Sequence, residues 1–133
     1  MSEENVGLVR RCNEAFAARN WSLLSELIDP DVVVDLSRNI FNADVYRGYD
    51  GIRRWAESVD DMWEDFRTEP EEFIDAGEHV VGALRISGRG REGGVEASML
   101  VFSIWSFRDG RVLRMVGGYR DRAEALEAAG LRN

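Results

Sequence analysis

The chain has 133 residues, of which 44% are hydrophobic, with 17 basic and 25 acidic side chains and a net charge of −8. This length is typical of one domain with one core, so we expect a single domain over residues 1–133. The acidic balance argues against nucleic acid or an anionic membrane surface as a partner. The single cysteine, Cys12, excludes an internal disulfide bond and is typical of a reducing compartment.

No apolar run approaches the 20 or so residues that a membrane span needs. The N-terminal residues "MSEENVGLVRRC" place acids where a secretory signal would have bases and an apolar stretch. We therefore expect a cytoplasmic protein without membrane contact.

The first half of the chain predicts three amphipathic helices. Residues 3–19 form the first, with an inward face of Leu8, Cys12, Ala15 and Phe16. A second, short helix has Ser22 as its candidate N-cap, and Pro30 is expected to end it. Asp50 is the candidate cap of the third helix. Its apolar positions recur with helical spacing: Ile52, Trp55, Ala56, Val59, Met62, Trp63 and Phe66.

The remaining segments predict strands and a tail helix. The β-branched "DVVVDL" at 31–36 is a strand, and residues 38–49 form a loop. Further strands are predicted near 71–76, 79–87, 95–107 and 111–120. In the tail, Asp121 and Glu124 have the spacing of a capping box and Gly130 is placed to end the helix. Helices followed by a mostly antiparallel meander indicate an α+β fold.

The strand at 95–107 must bend to stay on a small core, and a curved sheet closed by helices encloses a cone. Alternate residues of such a strand line the hollow. Both alternating sets are apolar in the middle of this strand, which indicates that both faces are covered. A second copy of the chain is the economical cover for the outer face, so we expect a homodimer through the sheet face.

The ordered set "PDVVVDL", "YRGYDGIRRW", "AGEHVVGALRISGRG", "VFSIWSFRDGRVLRM" and "YRDRAEALEAAGL" covers nearly the whole chain. It resembles the SnoaL-like branch of the nuclear-transport-factor-two-like superfamily. The resemblance implies a cone-shaped α+β barrel, with three helices packed on a strongly curved mixed or antiparallel sheet, and frequent dimers. It also implies members that are polyketide cyclases, ketosteroid isomerases, epoxide hydrolases, dehydratases or plain binding modules, so the fold does not determine the function.

Two residues are candidate catalytic groups. Asp35 resembles the general base of the ketosteroid isomerases, and an Asp in an apolar cone would have a raised pKa. The alternative is that Asp35 faces the loop after its strand and hydrogen-bonds the "SRN" segment. Tyr119, on the last strand, could give one hydroxyl to a ligand or pack with its tip at the rim.

The resemblance also identifies expected polar positions that this chain fills differently. The tyrosine and the protonated acid of the isomerases correspond to Cys12 and Ser103, and the epoxide-hydrolase triad corresponds to Leu84, Ile86 and Gly117. Neither set offers the family's chemistry. The residues expected to line an apolar ligand pocket are Trp55, Val59, Leu84, Val101, Ser103, Trp105 and Met115.

No other motif predicts a site. His79 is the single histidine and lies in a predicted turn, and no metal-ligand spacing occurs, so neither a metal nor a cofactor is expected. The acids on the other face of the third helix indicate a solvated face, with docking of a basic partner as the alternative.

Three functions remain open. The first is a binding module for a small hydrophobic metabolite. The second is a cofactor-free isomerase, cyclase or lyase with Asp35 as general base and Tyr119 or Ser103 assisting. The third is a dimeric scaffold whose cone is filled by its own side chains. A ligand pocket of about 300 Å³ or more would exclude the third.

Overall fold

The computed structural model describes residues 2–39 and 43–130. Within these ranges the helices are α1 (Ser2–Ala17), α2 (Trp21–Leu27), α3 (Gly48–Met62) and α4 (Arg122–Ala128). The strands are β1 (Ile28–Asp35), β2 (Val45–Arg47), β3 (Trp63–Ala76), β4 (His79–Gly90), β5 (Glu96–Arg108) and β6 (Arg111–Tyr119). No helix in the described part combines the length and the apolar composition that crossing a bilayer requires.

The strands form one mixed sheet in the order β2-β1-β6-β5-β4-β3. Only β1 and β6 are parallel, and the other neighbours are antiparallel. The expected α+β class is therefore confirmed. Register shifts interrupt three of the five strand pairings, namely β1–β6, β3–β4 and β5–β6, while β4 and β5 pair without a shift from His79↔Ser106 to Arg89↔Glu96. Such bulges increase the bend and twist of a sheet, which lets these long strands curve around one core.

Helices α1, α2 and α3 pack against the inner face of this curved sheet. Leu8, Val9, Cys12 and Ala15 of α1 are buried there, and the helical spacing predicted all of these contacts except that of Val9. From α3, Ile52, Ala56 and Val59 are buried, again as their spacing predicts. Burial of these side chains fixes the helices over the hollow of the sheet.

Helix α4 packs on the outer face. Its Ala125 and Leu126 belong to a second core cluster with Val81, Phe102 and Ile104 of the sheet. The tail of the chain itself therefore covers part of the face that we expected a second copy to cover. The prediction that Asp121 caps this helix is right, because its carboxylate accepts a hydrogen bond from the Ala123 N–H at 2.9 Å.

Several predicted boundaries are wrong. The N-cap of α2 is Asn20, whose side chain accepts from the Leu23 N–H at 3.1 Å, and Ser22 lies inside the helix. Pro30 does not end this helix; it lies in β1, in the stretch where the register with β6 shifts, so its missing N–H costs no ladder hydrogen bond. Helix α3 begins at Gly48, which places Asp50 in its first turn rather than at its cap.

The strands also differ from the prediction at two places. Helix α3 ends at Met62, so Trp63 and Phe66, which continue its apolar spacing, belong to β3. The short β2 falls in the segment predicted as a loop.

In the tail helix, the Glu124 side chain accepts a hydrogen bond from Arg38 at 2.7 Å. The helix predicted from the sequence extends into residues 131–132, which lie outside the described part.

Candidate functional site

The inner face of the sheet and the three covering helices enclose a cavity of about 180 Å³, here called the cone cavity. Its sheet wall follows the unshifted register of β4 and β5, in which Gly82 lies opposite Ser103 and Leu84 opposite Val101. Helices α1 and α3 contribute, among others, Cys12, Phe16, Trp55 and Val59. The wall is mainly aliphatic and aromatic, so it suits an apolar guest.

All seven residues that the sequence predicted for a ligand pocket line the cone cavity: Trp55, Val59, Leu84, Val101, Ser103, Trp105 and Met115. Strict alternation along paired strands explains why the strand members share one face. That these residues bind a ligand stays a prediction.

The polar groups of the wall are few and partly paired with each other. The Trp105 indole N–H donates to Ser103 Oγ at 2.8 Å, so this hydroxyl is already an acceptor within the wall. Burial raises the pKa of the Cys12 thiol to about 12, only slightly offset by Arg11, so the thiol stays neutral and unreactive at neutral pH. No Asp, Glu, His, Tyr or Lys occurs among the described residues of the lining.

Asp35 is not among the residues that line the cone cavity. Its phase with Val33 was predicted correctly, but Val32, Val34 and Leu36 are the β1 residues that face inward. The Asp35 carboxylate accepts from Ser37 Oγ at 2.6 Å and from the Ser37 N–H at 3.0 Å. This is the alternative in which Asp35 bonds the "SRN" segment.

The electrostatics of Asp35 also run against the catalytic expectation. The hydrogen bonds from Ser37 hold the pKa of the Asp35 carboxyl below its ordinary value, and Arg114, 3.3 Å away, lowers it further. The predicted rise in pKa is therefore wrong in direction. An ionised, externally bonded carboxylate has no route to a proton on a guest inside the cavity, because the sheet lies between them.

Tyr119 is also absent from the described lining. It lies opposite Phe102, whereas Val116 lies opposite Ile104, so β6 holds one extra residue in this interval. The bulge contains Gly118, whose φ is +86°, and it reverses the alternation after Gly117. Tyr119 therefore packs in the outer cluster with α4, and Arg38 lies 4.3 Å over its ring. Its ring packs, and Tyr119 is not placed where its hydroxyl would reach a ligand in the cavity.

One acid is buried, but outside the cavity. Asp29 is the only buried charged residue in the described part, and Arg108 donates to both of its carboxylate oxygens at 3.1 and 2.7 Å. The Arg108 hydrogen bonds, with the Asp31 N–H, hold the Asp29 pKa below its ordinary value. This pair ties the start of β1 to the end of β5 and has a structural role.

His79 is the first residue of β4 rather than a turn residue as predicted; it is not among the residues that line the cone cavity, and its Nδ1 lies 3.0 Å from Ser106 Oγ. In the described residues, no three His, Cys, Asp or Glu side chains are grouped so that they could hold a metal ion. Leu84, Ile86 and Gly117, which resemble the epoxide-hydrolase triad positions, do line the cavity and offer only apolar surface there.

Other lining residues were not predicted. Phe73 reaches the cavity from β3, and Arg38, Asn39 and Arg120 lie at its end near Gly118. Asn13 of α1 is a further half-buried polar member of the wall. A helical face drawn from apolar spacing omits such polar residues, and no local pattern shows that the segment after β1 returns to the end of β6.

A second depression, of about 290 Å³, lies between α2 and α3 and is lined partly by Trp21, Tyr49 and Arg53. The Tyr49 hydroxyl donates across it to the Ser25 carbonyl at 3.2 Å, and Tyr49 is exposed. It is an open surface groove rather than an interior cavity. The cone cavity is therefore the better candidate site.

Comparison with known proteins agrees with this architecture. A model of the SnoaL-like domain matches residues 9–115. An NTF2-like protein of unknown function from Burkholderia pseudomallei K96243 is 25% identical, with a TM-score of 0.74 over 96% of this chain and 97% of that one. A second NTF2-like protein, from Burkholderia xenovorans LB400, is 21% identical, with a TM-score of 0.80 over 97% of both chains.

TerC, solved after co-crystallization with polyporic acid, is 21% identical and covers 96% of this chain and 98% of its own, with a TM-score of 0.74. No protein with a curated description matches significantly. The family model spans most of the sequence, and the solved structures share its cone-shaped fold. The chain therefore belongs to the SnoaL-like domain family, as its resemblance implied.

Proposed function

We propose that this protein binds a small, mainly apolar ring compound in the cone cavity. The observation that carries the proposal is the composition of the cavity wall, which is aliphatic and aromatic and has no acid or imidazole among its described residues. Such a wall favours transfer of an apolar guest from water, by roughly 25 cal/mol per Å² of surface that the guest buries.

The size of the cavity limits the guest. Its volume of about 180 Å³ is below the range of about 300–1,000 Å³ for drug-sized ligands. It exceeds the roughly 150 Å³ of an engineered apolar cavity that accepts benzene. A compound of one or two fused rings is therefore the expected size. This volume is below the 300 Å³ or so that would exclude the scaffold hypothesis, so the binding experiment below decides between the two.

Binding is favoured over proton-transfer catalysis for a chemical reason. A cofactor-free isomerase or cyclase needs a base within hydrogen-bond reach of its substrate. Asp35 and Tyr119 lie on the far side of the sheet wall, and the Cys12 thiol is neutral. The co-crystallization of the structural neighbour TerC with polyporic acid is consistent with an organic guest in this fold.

The test uses neighbouring residues on the two faces of β5. Val101 lines the cavity, whereas Leu100 packs against the outer cluster. Binding of benzyl alcohol and 1-indanol is measured by isothermal titration calorimetry for the unmodified protein, Val101→Phe and Leu100→Phe. Filling the cavity is expected to weaken binding by about tenfold or more in Val101→Phe only, because overpacking there costs about 1–3 kcal/mol.

Circular dichroism and thermal unfolding show whether both variants stay folded. Equal loss of affinity in the two folded variants would place the binding site elsewhere. Absence of binding by the unmodified protein to either compound, at concentrations up to their solubility, would refute the proposal. A variant Asp35→Asn with unchanged affinity is expected, because Asp35 does not face the guest.

A further inference from the structure

Two arginines contribute to one end of the cone cavity. Among the described residues of its lining, only Arg38 and Arg120 are exposed, so the cavity meets solvent at this end. The chain as a whole has 25 acidic and 17 basic residues. The described lining reverses this balance, since it contains two arginines and no acidic residue.

The fold holds both arginines at the same end of the cavity. The turn at 36–39 crosses directly over the end of β6, and a Cβ on Gly118 would lie only 2.6 Å from Asn39 Oδ1. A Cβ on Gly117 would lie 2.8 Å from Leu36 Cδ2. Two consecutive glycines permit this close approach, which brings Arg38 on the turn next to the end of the strand that leads to Arg120.

The two arginines differ in how their charge is compensated. Arg38 donates to Glu124 at 2.7 Å, and its guanidinium lies 4.3 Å over the Tyr119 ring. Among the described residues, Arg120 has neither an ion-pair partner nor a hydrogen-bonded acceptor for its guanidinium. Arg120 therefore presents an uncompensated planar fork of donors at the mouth of an apolar hollow.

We propose that Arg120 binds the acidic group of the ligand, so that the ligand class is a small apolar carboxylic acid. This inference rests on the proposed function, because the ring of the same molecule occupies the cone cavity. Guanidinium and carboxylate match in a bidentate geometry, and an apolar body would anchor the acid beside Arg120. Arg38 is already paired with Glu124, so it does not compete with Arg120 for the carboxylate.

The test compares two probes of equal shape, cinnamate and cinnamamide, by isothermal titration calorimetry at pH 7. The unmodified protein is expected to bind cinnamate about fivefold more tightly, the ratio for a half-exposed ion pair. In Arg120→Met this ratio is expected to fall to about one through weaker cinnamate binding, with cinnamamide affinity unchanged. Arg120→Lys keeps the charge but loses the fork, so it should retain part of the preference.

Arg122→Met is the matched control, since Arg122 lies two residues further along the chain and pairs with Glu72, away from the cavity lining. It should leave the fivefold ratio unchanged. A ratio near one in the unmodified protein, or an equal loss of the ratio in both arginine variants, would overturn the inference and leave the cavity proposal intact. Failure of both cinnamyl probes while 1-indanol binds would also overturn it. Failure of every ring compound would refute the proposed function itself.

Discussion

The close approach of the 36–39 turn to β6 makes Gly118→Ala a sharp test of the site architecture. Gly118 has a φ of +86°, a conformation that costs an alanine about 1–2 kcal/mol. Its new Cβ would also lie 3.0 Å from the backbone carbon of Arg38, which cannot rotate away. Overpacking of this kind costs about 1–3 kcal/mol, so the free energy of unfolding is expected to fall by about 2–5 kcal/mol.

Gly110→Ala separates these two contributions. Gly110 has a φ of +76°, but no atom lies within 4 Å of the position a Cβ would occupy. Its substitution should therefore cost only the backbone part, about 1–2 kcal/mol. Urea unfolding followed by tryptophan fluorescence gives both values. If Gly118→Ala lost no more stability than Gly110→Ala, the turn would not be packed on β6. The placement of Arg38 and Arg120 at the same end of the cavity would then be wrong.

Two further predictions concern the outer face. Asp35→Asn should lower the free energy of unfolding by about 1 kcal/mol at pH 7, because the Ser37 hydrogen bonds that hold the Asp35 pKa low are weakened. This contribution to stability is present above the ordinary aspartate pKa of about 3.9. It disappears as the pH falls through the lower pKa of the folded state. Urea unfolding from pH 7 to pH 3 measures it, and a difference that grows in acid would contradict it. We also propose a homodimer through the part of the outer face near the half-buried Leu100 and Val116, so light scattering at micromolar concentration should give twice the 15.1 kDa chain mass and Leu100→Arg should lower it. A mass of one chain for the unmodified protein would rule the dimer out.

The sequence predicted the cavity wall well where strand pairing is regular. Leu84, Val101, Ser103 and Trp105 lie on β4 and β5, which pair without any register shift. Along such a ladder the side-chain period is two, so one correct assignment determines the face of every other residue. The same reasoning from helical spacing predicted the α3 residues of the wall, of which Val59 is buried.

The faces of the two catalytic candidates, Asp35 and Tyr119, could not be predicted because they depend on features that no local pattern encodes. In β1 the three consecutive residues before Asp35 are all valines, so the sequence does not show which alternating set faces inward. The set that contains Val33 and Asp35 was assigned to the inner face, whereas Val32 and Val34 are the buried residues. Tyr119 lies beyond a one-residue bulge that reverses the period. In both cases a shift of one residue in the alternation places the polar side chain on the opposite face of the sheet.

The start of β3 was missed for a related reason. Trp63 and Phe66 continue the three-residue apolar spacing of α3, and spacing alone cannot show where helical hydrogen bonding stops. The structure has Asp65 at a φ of +53° and a register shift between Glu64 and Arg67. These irregularities bend the edge strand so that its residues still face the cavity.

The distribution of charge over the two faces of the sheet then accounts for the chemistry of the site. Asp35 pairs with Arg114 and Asp29 with Arg108, so these acids, which sequence patterns place close to the core, are neutralised away from the cavity. A base in the cone would have needed a carboxylate without such a partner, desolvated beside the guest. Among the described residues of the cavity lining, the charged group left without an ion pair is instead the guanidinium of Arg120, which carries hydrogen-bond donors and no acceptor. The described lining therefore suits an anion attached to an apolar body, which is why binding rather than proton transfer is the function we propose.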